Sequence, residues 1–147
     1  MDGIAIHDLE RGGLAFDLRD LLDALGAPAL TAWWRVKSHV WYLAADDAPV
    51  PALDADDGPG PWVAGDAFAA SARLVRQVVD GVIEGVQGSP PHAGDLVEPW
   101  VVLRAVDSSW WEVYTDDVSA LATLRNRFRD IRPARYTPST PPTYYGR

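Results

Sequence analysis

Histidine is the side chain best suited to acid–base or metal chemistry near neutral pH, and the chain holds three, His7, His39 and His92. They stand far apart and none belongs to an HExxH or HxH pattern, so histidine alone predicts no zinc site. His39 falls between two β-prone runs and His92 in a proline-rich stretch, both of them turn contexts. Ser108, His39 and Asp107 have the residue types of a hydrolytic triad, but no nucleophile-elbow glycines surround Ser108, and Asp107-Ser108-Ser109 reads as a turn. The carboxylates Asp46, Asp47, Asp54, Asp56 and Asp57 lie close enough together to suggest calcium. Counted from Asp46, however, the sixth position is Pro51 and the twelfth Asp57, where an EF-hand loop requires Gly and Glu. Gly58-Pro59-Gly60-Pro61 lacks the lysine and the strand-to-helix setting of a phosphate loop. The absence of cysteine removes disulfides, thiolate nucleophiles, iron–sulfur clusters and cysteine zinc sites together. The residues therefore predict no catalytic set, no metal site and no cofactor, and point to binding rather than catalysis.

Two features speak for binding. The first is charge: residues 1–117 carry 20 acids against 7 bases (−13) and residues 118–147 carry 1 acid against 6 bases (+5), which together give the net −8. An acidic body repels phosphate backbones, so a basic protein is the expected partner and duplex nucleic acid is not. The second is tryptophan, of which there are seven. Trp34, Trp41, Trp100 and Trp111 are assigned to packing, while Trp33, Trp62 and Trp110 are the interface candidates. Trp62 directly follows the run containing Asp46, Asp47, Asp54, Asp56 and Asp57, so carboxylates could steer a basic partner while the indole supplies the desolvated centre.

The elements that must position these residues follow from periodicity. Leu18, Leu21, Leu22 and Leu25 form one helical face, with Asp17 as cap, Gly26 at the C-terminal stop and Pro28 preventing continuation; Gly13–Phe16 before them reads as a short strand. Residues 31–44 contain two β-prone runs separated by Lys37-Ser38-His39, which predicts a tight antiparallel hairpin. Residues 46–61, rich in Asp and Pro, predict a long loop. A helix capped by Asp66 is expected to run to about Val78 with Phe68, Ser71, Ala72, Val75 and Val79 on its buried side. Residues 80–87 could be helix or strand, and their β-branched content favours strand; residues 88–99 form a second loop. Val101–Val106 and Trp110–Tyr114 predict a hairpin about Asp107-Ser108-Ser109. Its register sets Leu103 against Val113 and Ala105 against Trp111 inward, Arg104 against Glu112 and Val102 against Tyr114 outward. The last helix, capped by Asp116 or Asp117, is expected to bury Val118, Leu121, Leu124 and Phe128 and to align Arg125, Arg129 and Arg132 on another face. From Pro133 to Arg147 the chain reads as an extended, polyproline-like tail.

This order predicts a single α+β domain over residues 1–132, with a mainly antiparallel sheet of about five to six strands and about three helices, and a Pro/Tyr-rich tail over 133–147. A chain of 147 residues can bury a sufficient core without disulfide or metal. No apolar run is long enough for a membrane span and Met1–Ile6 has no signal-peptide character, which predicts a cytoplasmic protein without membrane attachment. Twelve of the thirteen basic residues are Arg, a usage that suggests a GC-rich bacterial genome.

The segment from Trp100 to Arg129, with Val-Asp-Ser-Ser-Trp-Trp-Glu-Val-Tyr-Thr-Asp-Asp followed by an amphipathic helix, resembles a group of small bacterial domains of unknown function that carry a late "VDS…V.IY..D" hairpin and helix. In size and acidity the chain is also similar to the immunity proteins with which bacteria neutralise polymorphic toxins. That second resemblance implies a non-enzymatic inhibitor of a cationic toxin or enzyme, acting through residues 46–62 and 31–44. An alternative of another class is a small-molecule-binding domain or enzyme, in which a cationic ligand sits on Trp within an aromatic and carboxylate pocket. The C-terminal arginines and tyrosines leave a third, single-stranded nucleic-acid binding.

Overall fold

The structure, a computed structural model, describes residues 1–55 and 58–135. In chain order the elements are β1 (Asp2–Ile6), β2 (Leu9–Glu10), β3 (Gly13–Leu14), α1 (Leu18–Leu25), α2 (Ala27–Thr31), β4 (Trp33–Val36), β5 (Trp41–Ala44), β6 (Val63–Ala64), α3 (Gly65–Ala72), β7 (Val75–Val86), β8 (Val101–Val106), β9 (Trp110–Thr115), α4 (Val118–Arg127) and β10 (Ile131–Arg135), with one 3-10 turn at Pro51–Leu53. The class is α+β, as expected. The main sheet has eight strands rather than five to six, in the order β10-β1-β9-β8-β7-β4-β6, with β5 also joined to β7. Every pairing is antiparallel. β2 and β3 form a separate small ribbon.

Because strand side chains alternate, one face of the sheet gathers Ile4, Ile6, Trp34, Val36, Ile83, Leu103, Ala105, Trp111 and Val113. These pack with Leu18, Leu21, Leu22 and Leu25 of α1, Phe68 of α3, Leu124 of α4 and Phe128 beyond it in one core. Asp17 caps α1 and Asp117 caps α4, as their positions in the sequence require. The β8–β9 register is the expected one, pair for pair. Its turn holds Asp107 and Ser108 at φ +47° and +59°, a conformation that costs non-glycine residues free energy. The turn is pinned to β7, where Asp107 N–H donates to buried Asp80 and Ser108 N–H to the Val79 carbonyl.

The expected hairpin over residues 31–44 is absent. β4 and β5 do not pair with each other; they follow one another along β7, β4 opposite Ile83–Val86 and β5 opposite Val75–Asp80. The twelve-residue β7 offers backbone partners to both in succession. Lys37 N–H extends the first pairing to the Val82 carbonyl, and the chain then jogs past Gly81 before resuming at Trp41. Gly81 makes the jog possible: its φ is +155°, and a Cβ there would lie 2.7 Å from a methyl of Val40.

The helix expected to reach Val78 ends at Ala72, and Val75, Val78 and Val79 belong to β7. The spacing of these valines fits either element, and pairing with β5 decides for strand. Asp66 sits in the first turn of α3, whose cap is Ala64. On α4 the buried residues are Ala120 and Leu124, with Leu121 half-buried and Val118 exposed instead of in the core. The helix stops at Arg127, so Arg129 and Arg132 do not extend an arginine stripe from Arg125; Arg132 lies in β10 and pairs with Asp130. Residues 133–135 of the predicted tail complete β10, where Pro133 opposite Ile4 occupies an edge strand, the place in a sheet that tolerates a missing N–H. Residues 136–147 of that tail lie outside the described residues.

Trp34 is the centre of the helix side. It is fully buried, stacks on Phe68 at 5.6 Å, meets the edge of Trp100 at 6.1 Å and donates its indole N–H to the Ala29 carbonyl at 2.9 Å. Gly85 lies beneath it, and a Cβ there would come within 2.8 Å of the ring. Gly85→Ala is accordingly expected to cost about 1–3 kcal/mol of stability, read as a lowered urea midpoint with unchanged slope.

Candidate binding face

Among the described residues the helices lie on one side of the sheet. On the other side alternation places Trp33 and Arg35 of β4, Glu84 of β7, Val102 and Arg104 of β8, and Trp110, Glu112 and Tyr114 of β9. Two ion pairs cross this face. Arg35 Nε lies 2.6 Å from Glu84 Oε1, and Arg104 Nη1 lies 3.3 Å from Glu112 Oε1. The Glu84 side chain is only 4% exposed. With Glu84 so enclosed, removing Arg35 would strip a buried acceptor of its ion-pair partner, a strongly destabilising change. The Arg35 guanidinium also stands 4.3 Å above the ring of Trp62, closing a carboxylate–guanidinium–indole stack. Glu112 is held more fully, accepting from Tyr114 Oη at 2.6 Å and from Trp110 Nε1 at 2.9 Å. Trp110 stacks on His7 at 5.1 Å, and burial, followed by the nearby Arg132, holds the His7 imidazole below its usual pKa.

Trp33, Trp62 and Trp110 are thus brought to one face, each half-buried, but two of them are already engaged by their own chain, Trp62 by Arg35 and Trp110 by His7 and Glu112. The predicted acidic residues occupy different ground, the segment that follows β5. Asp46 and Asp47 are exposed there; Asp46 accepts from Ala48 N–H, and Asp47 has φ +63°. Asp54, also exposed, accepts from Tyr42 Oη at 2.9 Å, while the same hydroxyl accepts from Val50 N–H. This knot, with Val50 and Leu53 buried, fastens the segment to the core. Asp56 and Asp57 lie outside the described residues.

The residues missed by sequence reading are Trp41 and Leu43. Alternation alone would have flagged them, but the hairpin reading gave Trp41 a packing role. With β5 laid along β7, Tyr42 turns toward the core, and Trp41 and Leu43 are 51% and 37% exposed. They lead directly into Asp46 and Asp47, so apolar and acidic surface are contiguous over seven residues.

A cleft of about 500 Å³ lies between His7, Asp8, Glu10, Arg129 and Asp130. Its carboxylates are mostly committed, since Asp8 accepts from the backbone N–H groups of Arg129 and Asp130, and Asp130 pairs with Arg132. Among the described residues no three His, Asp or Glu side chains are grouped to hold a metal ion, and no helix is long and apolar enough to cross a membrane. Comparison of the chain with protein-family models, with curated proteins and with solved structures gives no match.

Proposed function

We propose that the chain is a non-enzymatic, acidic binding protein of the immunity type, which acts in the bacterial cytoplasm by covering a cationic toxin or enzyme. The observation that carries this reading is the exposed run from Trp41 to Asp47, where a large indole and a leucine stand beside two exposed carboxylates. The sequence places no Lys or Arg between Lys37 and Arg73, and the carboxylates of Asp46, Asp47 and Asp54 outnumber Arg76, the cation that β7 brings beside this run. Carboxylates of this kind accelerate encounter with a basic surface, and the aromatic residue supplies contact area once water is expelled.

The test begins with affinity capture from the source organism at low and moderate salt, followed by association kinetics with the retained protein. Asp46→Asn with Asp47→Asn is expected to slow association about tenfold at low ionic strength and to flatten its salt dependence, with little change in dissociation. Unchanged association would remove these carboxylates from the interface. The purified chain is also expected to inhibit the activity of the captured protein. The alternative of a cationic small ligand on tryptophan is less well supported, because the Arg35 guanidinium occupies the ring face of Trp62 that such a ligand would use.

A further inference from the structure

We infer that the outer edge of β5 is a docking edge, at which an extended segment of a basic protein adds a strand to the sheet. The inference rests on the binding-protein reading above and specifies its geometry. An unpaired sheet edge invites strand addition, and proteins ordinarily blunt such edges with proline, with charge on the strand, or by keeping the strand very short. Among the described residues this sheet has three edge strands, and two are blunted in these ways. β10 carries Arg132, Pro133 and Arg135, and β6 is only two residues long. β5, Trp-Tyr-Leu-Ala, has neither proline nor charge and among the described residues pairs with β7 alone.

The pairing of β5 with β7 has two irregularities, at Trp41/Tyr42 and at Leu43/Ala44. In both cases the unpaired residue belongs to β7: Val79 is skipped in the first and Arg76 in the second. The bulges thus leave β5 with no inserted residue to interrupt an incoming ladder. A cleft of about 350 Å³ also borders the strand, lined by Tyr42–Ala44, Asp47–Pro49 and, from β7, Arg76.

Charge selects the occupant. Asp46 and Asp47 stand at the C-terminal end of β5, both exposed, and with exposed Asp54 nearby they outnumber Arg76 of the adjoining cleft, so an added strand is expected to bring Lys or Arg to that end and apolar side chains to Trp41 and Leu43. A second copy of this chain would bring the same carboxylates and a net charge of −8, which opposes self-pairing.

The probe is the synthetic peptide acetyl-Lys-Val-Thr-Val-Arg-Val-Lys-amide, with a control in which glutamate replaces each Lys and Arg, added to the isotope-labelled full chain. The basic peptide is expected to shift the amide resonances of residues 41–47 and to slow hydrogen exchange within β5, and the acidic peptide to do neither. Leu43→Lys, at an exposed position, is expected to weaken peptide binding at least about tenfold while leaving the thermal midpoint within a few degrees. Shifts centred on Trp33, Trp62 and Trp110, equal binding of the two peptides, or indifference to Leu43→Lys would each overturn the inference. A concentration-dependent dimer abolished by Leu43→Lys would also overturn it, making a second copy the occupant. The two readings fail separately. A captured basic protein that responds to Asp46→Asn with Asp47→Asn but not to Leu43→Lys would refute strand addition and retain the inhibitor. Peptide addition at β5 without any captured basic protein would support strand addition and count against the inhibitor.

Discussion

Leu103→Asp is expected to leave no cooperatively folded protein at 25 °C. Leu103 has no solvent exposure and stands in the middle of β8 between Ile83 and Val113, neither of which is exposed. It forms part of the core that also takes in the leucines of α1. A carboxylate placed there finds apolar neighbours, and burying it ionised or paying to protonate it costs several kcal/mol, beyond the lost packing of leucine. A domain of this size has about 5–15 kcal/mol of stability, so one such change is enough to unfold it. Far-UV circular dichroism and urea titration provide the measurement, with Asp46→Asn as the folded reference because Asp46 is exposed. A cooperative transition near the wild-type midpoint would mean that β8 is turned over, since a one-residue slip exchanges the faces of a strand.

That register could be read from sequence because its cues are local. The three-residue turn, the inward alternation of Leu103, Ala105, Trp111 and Val113, and the opposite charges of Arg104 and Glu112 all select the same alignment. The capped leucine helix was legible for the same reason. The course of residues 31–44 was not, because the partner that straightens it is β7, a strand far along the chain whose glycine bend admits Val40. The boundary of α3 failed through ambiguity, as Val75 and Val79 lie on a helical stripe that continues from Phe68 and Ala72 and equally suit a strand. Both errors had one consequence for the candidate site. With β5 drawn as half of a hairpin, Trp41 has a packing role; with β5 on β7, Trp41 is 51% exposed and leads into the acidic run. The stacking of Arg35 on Trp62 was similarly out of reach, since it depends on β6 returning beside β4.

The pH dependence of stability should carry a signature of Asp17 with the reverse of the usual carboxylate sign. Asp17 caps α1 from a buried position, accepting from Leu18 N–H at 2.8 Å and, across the core, from Val78 N–H of β7 at 3.0 Å. Burial pushes its carboxyl up to about 7 from 3.8; the two N–H donors pull the other way, nearby Asp20 adds to the rise and Arg19 opposes it. Between those two values the folded chain retains a proton that the unfolded chain has released, so the contribution of Asp17 to stability falls as pH rises, by at most about 1.4 kcal/mol per pH unit. Below 3.8 both states are protonated, above about 7 both are ionised, and in neither range does Asp17 contribute a slope. Asp117 has the opposite sign: the indole N–H of Trp100 holds it below its usual range, and the stability it contributes is lost as pH falls. The diagnostic quantity is therefore the difference between wild type and Asp17→Asn in urea titrations from pH 4 to pH 8. The amide can still accept from Leu18 and Val78 but does not titrate, so the variant should lose the downward slope while keeping the helix cap. Parallel curves for the two proteins would show that Asp17 is already ionised at pH 5, with its two backbone donors outweighing burial.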